Sequence, residues 1–507
     1  MTKQVRLLEE VRVMIGFELL LEYDLGAFFA IGILMYVVAI ILAILFDSKP
    51  NYSNILSNVV SCFASLLMIY VSMIVALTGK HLKLGPYEII IPQAPLIIDV
   101  DSISAVLIFA ISSLTFAISI FSIGYLKMFY HKRSMGYFGL FYNLFVMAMI
   151  LTCCVSNTLW FLQFWELMTA SSYFLVVYED TPDIRKIGYF YFIMMHLGFA
   201  CLIVSLSLMS FAVGSMDFNI IEIASVNISG ELKTIILILA LIGFGMKIGL
   251  FPLYVWLPEA YPAAPSNVSA LLSGVMASVG LYGLIKISIL LHATMSWWYI
   301  TLSILAIINV LVGFLSLPGQ IDFKRLLAYS SMIEMGLAVL SLAYYCAGSE
   351  IGLKASLMHV INQAYAKGML FAISGVFLYC AYTKKLSDIK GLWKSNPFLA
   401  TLYFIAFVDI MGIPPFGCFF SKVFIILSGF SQFLSWWGPV SATIALILEI
   451  LCFIWFLRIL QYALMGKPSQ VMLEIKRPPL PMYIGLIILA ILCAISGILS
   501  MYFVGGI

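Results

Sequence analysis

Runs of about twenty apolar residues, each closed by a short polar turn, follow one another from Leu25 to the end of the chain. A run of that length spans the ~30 Å hydrocarbon core of a bilayer as one helix. In lipid each backbone N–H and C=O must be satisfied within its own segment, and an isolated strand cannot do that. The repetition therefore predicts an all-α integral membrane protein with about 14 transmembrane helices. The spans read as 25–46, 57–78, 102–125, 136–155, 158–178, 187–213, 233–258, 266–291, 297–317, 325–346, 352–382, 396–430, 436–464 and 481–504. Composition agrees: 10% of residues are charged and 63% hydrophobic, against about 25% charged in a soluble domain. Between the second and third spans, GPYEIIIPQAPLIIDVDS alternates in polarity and holds two prolines, which predicts a short extramembrane hairpin. The start, MTKQVRLLEEVRVMIG, is charged and amphipathic and does not read as a cleavable signal.

Lysine and arginine in the turns set the orientation, because cytoplasmic loops collect them. With both termini outside, the inward turns hold about fifteen basic residues and the outward side about seven. The net charge of +3 is too small to imply a nucleic-acid partner. The nine cysteines lie mostly in apolar runs without C-x-x-C spacing, so they read as packing residues, and no metal site is expected. The glycines of GFGMKIG lack the strand and βαβ unit of a dinucleotide loop.

Five basic residues remain inside spans: Lys247, Lys286, Lys367, Lys422 and Arg458. A lysine at bilayer depth costs at least ~2.5–3.5 kcal/mol, which makes each a candidate functional group. Lys247 lies one turn before Pro252, and Lys422 lies two turns past Pro414 and Pro415. A proline within a helix removes a backbone hydrogen bond, so the seventh and twelfth spans read as broken helices. Five spans separate the breaks, which predicts two inverted five-helix repeats. The expected division is 1–135 for helices 1–3 with the hairpin, 136–291 for helices 4–8, 292–465 for helices 9–13, and 466–507 for helix 14.

Glu166 in the fifth span is the expected ion-pair partner of Lys247. Burial disfavours a charged lysine and a nearby carboxylate favours it, so a pair that opens and closes works as a proton switch; a fixed pair merely sets packing. In the eleventh span His359, Gln363 and Lys367 recur at i, i+4 and i+8 and share one helix face, which predicts a hydrated proton path. Lys422 is either a snorkelling side chain or the terminal carrier. His196, Ser273, Ser278, Tyr282 and Asp409 are further relay or water-holding candidates. Glu334 is a further intramembrane charge. Glu449 and Arg458 are candidates for subunit contacts, and Lys286, near a helix end, reads as snorkelling.

GFGMKIGLFPLYVWLPEAYPAAPSNVSALLSG resembles the signature of the antiporter-like subunits of respiratory complex I, the Mrp sodium/proton antiporters and the membrane-bound energy-converting hydrogenases. Before it, FWELMTASSYFLV resembles the family's helix-5 glutamate motif, and after it IDFKRLLAYSSMIEMG, the helix-11 stripe and GIPPFGCFFSK follow in the family's order, over residues 100–430 in all. ELMTASSYFLV and PEAYPAAPSNVSALLSGVM resemble the hydrogenase and sulfane sulfur reductase branch.

The resemblance implies a proton path from Glu166 and Lys247 through a central relay to Lys422. It also implies a prokaryotic plasma membrane location, other membrane subunits as partners, and protons or sodium ions as cargo. No cofactor is expected in this chain; nickel–iron and iron–sulfur centres are expected in partner subunits. The function it implies is proton translocation in a redox-driven respiratory complex, the alternatives being an Mrp-type antiporter subunit or a non-pumping structural paralogue. One departure bears on that choice. Ser278 stands where many members carry a helix-8 lysine, and Gln363 where a second helix-11 histidine is common.

Overall fold

The computed structural model describes residues 25–88, 94–431 and 436–505. The charged amphipathic start and the tip of the hairpin lie outside the described residues. Every expected span is matched by a helix or by two half-helices. The order is α1 Leu25–Leu45, α2 Pro50–Thr78, α3 Ser102–Tyr125, α4 Met135–Cys154, α5 Thr158–Val176, α6 Pro182–Val213, α7 Gly230–Ile248 and α8 Ser266–Leu290. There follow α9 Ser296–Ser316, α10 Phe323–Cys346 and α11 Glu350–Ala381. Two half-helices, Pro397–Ile410 and Gly417–Phe430, make up α12; α13 Trp437–Leu464 and α14 Leu480–Gly505 close the bundle. Among the described residues eleven helices are long and apolar enough to cross a membrane, and the halves of α12 are shorter apolar helices. The predicted hairpin forms: β1 (Leu82–Tyr87) pairs antiparallel with β2 (Leu96–Val100), and Leu82 faces Val100.

Polar residues mark the helix starts. Ser134, Asn157, Thr181 and Asp322 accept N–H bonds from the first turns of α4, α5, α6 and α10, which satisfies donors that the helix leaves orphaned. Proline opens α2, α6 and α12, where its missing N–H costs nothing.

Burial is uneven, and the unevenness positions the site. α8 lies wholly inside the bundle, α10 and α11 nearly so, whereas α1, α6, α9, α13 and α14 are largely exposed at the perimeter. The innermost helices are thus the ones that carry Ser278, Glu334, His359, Gln363 and Lys367, all at most 1% exposed. In oil such groups must bond to one another.

Both expected breaks are present. α7 ends at Ile248, ahead of Pro252, because Gly249 turns left-handed at φ +79°. A short helix, Leu257–Ala263, resumes after the gap. Its exposed backbone is bonded: Phe251 N–H donates to Asn309 Oδ1 (3.0 Å), and Trp256 Nε1 donates to Met246 O (2.9 Å). α12 breaks over 411–416, the stretch that holds Pro414 and Pro415.

A third irregularity carries no proline. Leu272–Met276 within α8 is a π-helical segment, a feature often found at functional sites.

Candidate proton-transfer site

At the first break Lys247 is 2% exposed and donates to Thr169 Oγ1 at 2.9 Å. Its ammonium also lies over the Trp165 ring, 5.7 Å from the centroid. Thr169 is one helical turn from Glu166 on α5, so the ammonium sits beside the carboxylate's helix without touching the carboxylate. Glu166 Oε1 instead meets His196 Nε2 of α6 at 2.8 Å. The other imidazole nitrogen reaches Phe192 O at 2.9 Å. The direct Glu166–Lys247 ion pair expected from the sequence is not formed: His196 holds the carboxylate and a hydroxyl holds the amine. Glu166 and Lys247 remain within electrostatic reach of each other. Glu166 and His196 are 28% and 35% exposed on their side chains, on the α5–α6 rim of the bundle.

α8 packs directly onto Lys247. A Cβ added at Gly280 would lie 3.2 Å from Lys247 Cβ, so glycine here brings the two helices together. Six residues earlier along α8 the π-helical segment presents the Gly274 carbonyl, which accepts from Gln363 Nε2 (2.8 Å). The same Gln363 nitrogen donates to Ser278 Oγ at 3.2 Å. Ser273 Oγ meets Ser331 Oγ of α10 at 2.7 Å. Lys367 points to α10 as well, where Ser330 Oγ and Leu327 O (3.4 Å) accept its protons. The shared face of His359, Gln363 and Lys367 is therefore real, but it serves different neighbours: Gln363 faces α8 and Lys367 faces α10.

The second break holds a chain of titratable groups. His359 Nε2 lies 3.2 Å from Glu334 Oε2, and His359 Nδ1 lies 3.0 Å from Ser421 Oγ. Glu334 Oε1 meets Lys422 Nζ at 3.2 Å, and Lys422 Nζ meets Glu449 Oε2 at 2.7 Å. Lys422 also donates to Ile410 O, the last carbonyl of the first half of α12, at 2.9 Å. A cation is favoured at that helix end by the backbone dipoles. Gly412, left-handed at φ +71°, keeps the gap narrow enough for the Lys422 stem to cross: a Cβ there would lie 3.1 Å from Lys422 Cδ. Asp409 accepts the Cys418 N–H at 3.0 Å and so caps the second half of α12 from the first. It touches neither lysine in these bonds.

Among the described residues no three His, Cys, Asp or Glu side chains cluster so as to hold a metal ion. The arrangement instead alternates carboxylate, amine and imidazole across four helices, at distances over which a proton moves with small side-chain shifts.

Known proteins agree on what this arrangement belongs to. The NADH:quinone oxidoreductase/Mrp antiporter transmembrane family matches residues 155–449, which hold Glu166, Lys247, the central relay, Lys422 and Glu449. The chain belongs to this family. Hydrogenase-4 component B of Escherichia coli is 29% identical over 420 residues, covering 79% of this chain and 62% of the relative. A Na(+)/H(+) antiporter subunit from Alkalihalophilus pseudofirmus is 27% identical over 310 residues, 61% of each chain. The chain thus spans less than two thirds of the length of these curated relatives. Two solved structures share the fold. One is the membrane-bound sulfane sulfur reductase, an archaeal respiratory membrane complex, with TM-score 0.82, 23% identity, and 93% of this chain and 76% of that chain covered. The other is the Mrp complex of a Dietzia species, with TM-score 0.82, 17% identity, and 94% and 96% covered. The chain is an antiporter-like membrane subunit of the complex I, Mrp antiporter and membrane-bound hydrogenase superfamily.

Sequence reasoning named the two carboxylates that knit the second cluster together but gave neither a place in the path. Glu334 lies one turn past Ser330 on the same face of α10, and that spacing of polar groups in an apolar span was its visible signal. Glu449 was expected at a subunit contact; it faces Lys422, and Arg458, exposed over the Trp455 ring, is the group left on the outside of α13. Lys286, read from the sequence as snorkelling near a helix end, has a side chain that is 22% exposed. It pairs with Asp101 Oδ2 at 2.9 Å, at the start of α3. Burial pushes the Asp101 carboxyl up, and Lys286 together with the Ser104 amide outweighs it and leaves the carboxyl below its ordinary value.

Proposed function

We propose that this chain translocates protons as an antiporter-like subunit of a redox-driven membrane complex, of the hydrogenase or sulfane sulfur reductase kind. The observation that carries the reading is the His359–Glu334–Lys422–Glu449 chain, four titratable side chains in contact within the membrane. A structural brace needs one pair, and breaking even one buried pair costs about 3–5 kcal/mol. A chain of four that mixes amine, imidazole and carboxylate has a use when protons pass along it. Lys247 at the first break begins the path, with Glu166 as the carboxylate that approaches it and leaves it.

Several features support the wider reading. The two breaks lie five spans apart, as two inverted five-helix repeats (136–291 and 292–465) require, between an N-terminal segment and a last helix. The loop lysines and arginines favour both termini outside, in a prokaryotic plasma membrane. Redox chemistry on nickel–iron or iron–sulfur centres belongs to partner subunits, and this chain supplies the ion path. The likeness to hydrogenase-4 component B supports that branch.

The near-complete overlap with a chain of an Mrp complex supports a second reading, in which exchange of protons with sodium ions runs on a gradient alone. Purifying the complex from native membranes and reconstituting it in vesicles separates the two. The lead reading expects proton uptake driven by the partner's electron donor, abolished in Glu334→Gln while electron transfer continues. Uptake that needs only a sodium gradient would establish the Mrp-type reading. Normal pumping by Glu334→Gln would remove the path itself.

A further inference from the structure

The ion pair between Lys286 and Asp101 lies outside the path described so far, yet it is joined to it. Ser278, Tyr282 and Lys286 recur at i, i+4 and i+8 on α8, so they form one stripe on the innermost helix of the bundle. The stripe begins where Gln363 bonds Ser278 Oγ, between His359 and Lys367 on α11. Farther along, the Tyr282 hydroxyl meets Ser104 Oγ at 3.1 Å and donates to Cys153 O at 3.0 Å. Ser104 belongs to the first turn of α3, and its backbone N–H donates to Asp101 Oδ1 at 2.7 Å. Asp101 Oδ2 then takes Lys286 Nζ. Ser278 and Ser104 are fully buried and Tyr282 is 2% exposed, whereas the Asp101 and Lys286 side chains are 18% and 22% exposed. Polar groups therefore line the way from the centre of the bundle to groups that reach solvent beside the hairpin, with one step, between Ser278 and Tyr282, that no direct hydrogen bond closes.

We infer that Ser278, Tyr282, Ser104 and the Asp101–Lys286 pair form a proton outlet from the central relay to the hairpin side of the membrane. The inference rests on the proton-translocation reading and adds a route to it. Hydroxyls suit the task because each both donates and accepts. Ser278 and Tyr282 are neighbours one turn apart on α8, about 5–6 Å between their Cβ atoms, and the outlet assigns the step between their hydroxyls to water. Gln363 orients the joint, and the titratable groups on either side of it, His359 and Lys367, supply or take the proton. The π-helical segment contributes by turning the Gly274 carbonyl toward Gln363, which fixes the amide against Ser278. The lysine absent from position 278 has a functional counterpart two turns later, at the mouth of the outlet.

A purely structural role predicts something different: the pair would anchor the hairpin, and loss of one hydroxyl would leave transport intact. Tyr282→Phe in the intact complex decides between them. The outlet expects proton transport to fall to the level of the Glu334→Gln complex, with partner-subunit electron transfer and melting temperature unchanged. Ser278→Ala is the second variant, should Tyr282→Phe assemble poorly; it should lose transport, and Ser278→Thr should restore it. Normal transport by Tyr282→Phe or Ser278→Ala, beside a silent Glu334→Gln, overturns the outlet and leaves the path through Lys422 standing. Normal transport by Glu334→Gln itself overturns the underlying function instead.

Discussion

Lys247 and Lys422 each sit beside a broken helix, and the protein treats them in opposite ways. Lys247 rests on one threonine hydroxyl and a tryptophan face, while its carboxylate partner is held by His196. Lys422 is gripped by Glu334, Glu449 and a helix-end carbonyl. The same side chain at the same kind of break is thus free to move in one half of the molecule and clamped in the other. A lysine with no carboxylate in contact loses little when it shifts, whereas one between two carboxylates must leave both behind. Within the proposed function, that contrast makes the first break the switch and the second the fixed stretch of the path.

The sharpest way to break that comparison is to remove each amine. Lys422→Ala should strip Glu334 and Glu449 of their shared cation, a loss of the ~3–5 kcal/mol class for a buried pair, and the purified complex should melt several degrees lower. Lys247→Ala should leave the melting temperature nearly unchanged, since Thr169 still has the Trp165 carbonyl to bond, and yet abolish pumping. Equal destabilisation by the two variants would erase the distinction. A smaller effect tests whether Thr169 is the resting place of Lys247: Thr169→Val should slow pumping several-fold and Thr169→Ser should restore it, both read against unchanged electron transfer. Smaller again is the coupling between Glu166 and His196. In a double-mutant cycle of Glu166→Gln and His196→Gln, the pair should lose pumping no further than Glu166→Gln alone. Additive losses would mean that the imidazole acts elsewhere.

The smallest effect is a pH dependence at the edge of the bundle. The Asp101 carboxyl lies below its ordinary value in the folded chain, so its contribution to stability is complete above about pH 4, the unfolded value. It is lost as the pH falls through the lower, folded value. The difference in melting temperature between the natural chain and Asp101→Asn should therefore be present at pH 6 and shrink under acid. A difference that grows on acidification would show that Lys286 does not hold the carboxylate.

Span positions and both helix breaks were legible in the sequence because hydrophobic length and proline act locally. The i, i+4, i+8 stripe of α11 was legible for the same reason. Partner choice was not. Glu166 pairs with His196 rather than Lys247, and Glu449 turns inward rather than toward a neighbour, because these outcomes depend on how packed helices rotate against each other, which no local pattern encodes. His196 was named as a relay candidate but had no visible partner. The π-helical segment of α8 carried no signal at all, since LSGVM holds no proline and no sequence period announces a widened turn.

That widened turn fixes more than its own five residues. A helix advances about 100° with each residue, so one residue absorbed there sets which way everything downstream faces. Ser278, Tyr282 and Lys286 look toward Gln363 and α3 only in that phase. Deleting a single residue from 272–276 would leave an unbroken apolar helix of nearly the same length, wound on so that its hydroxyls and its amine address the wrong walls.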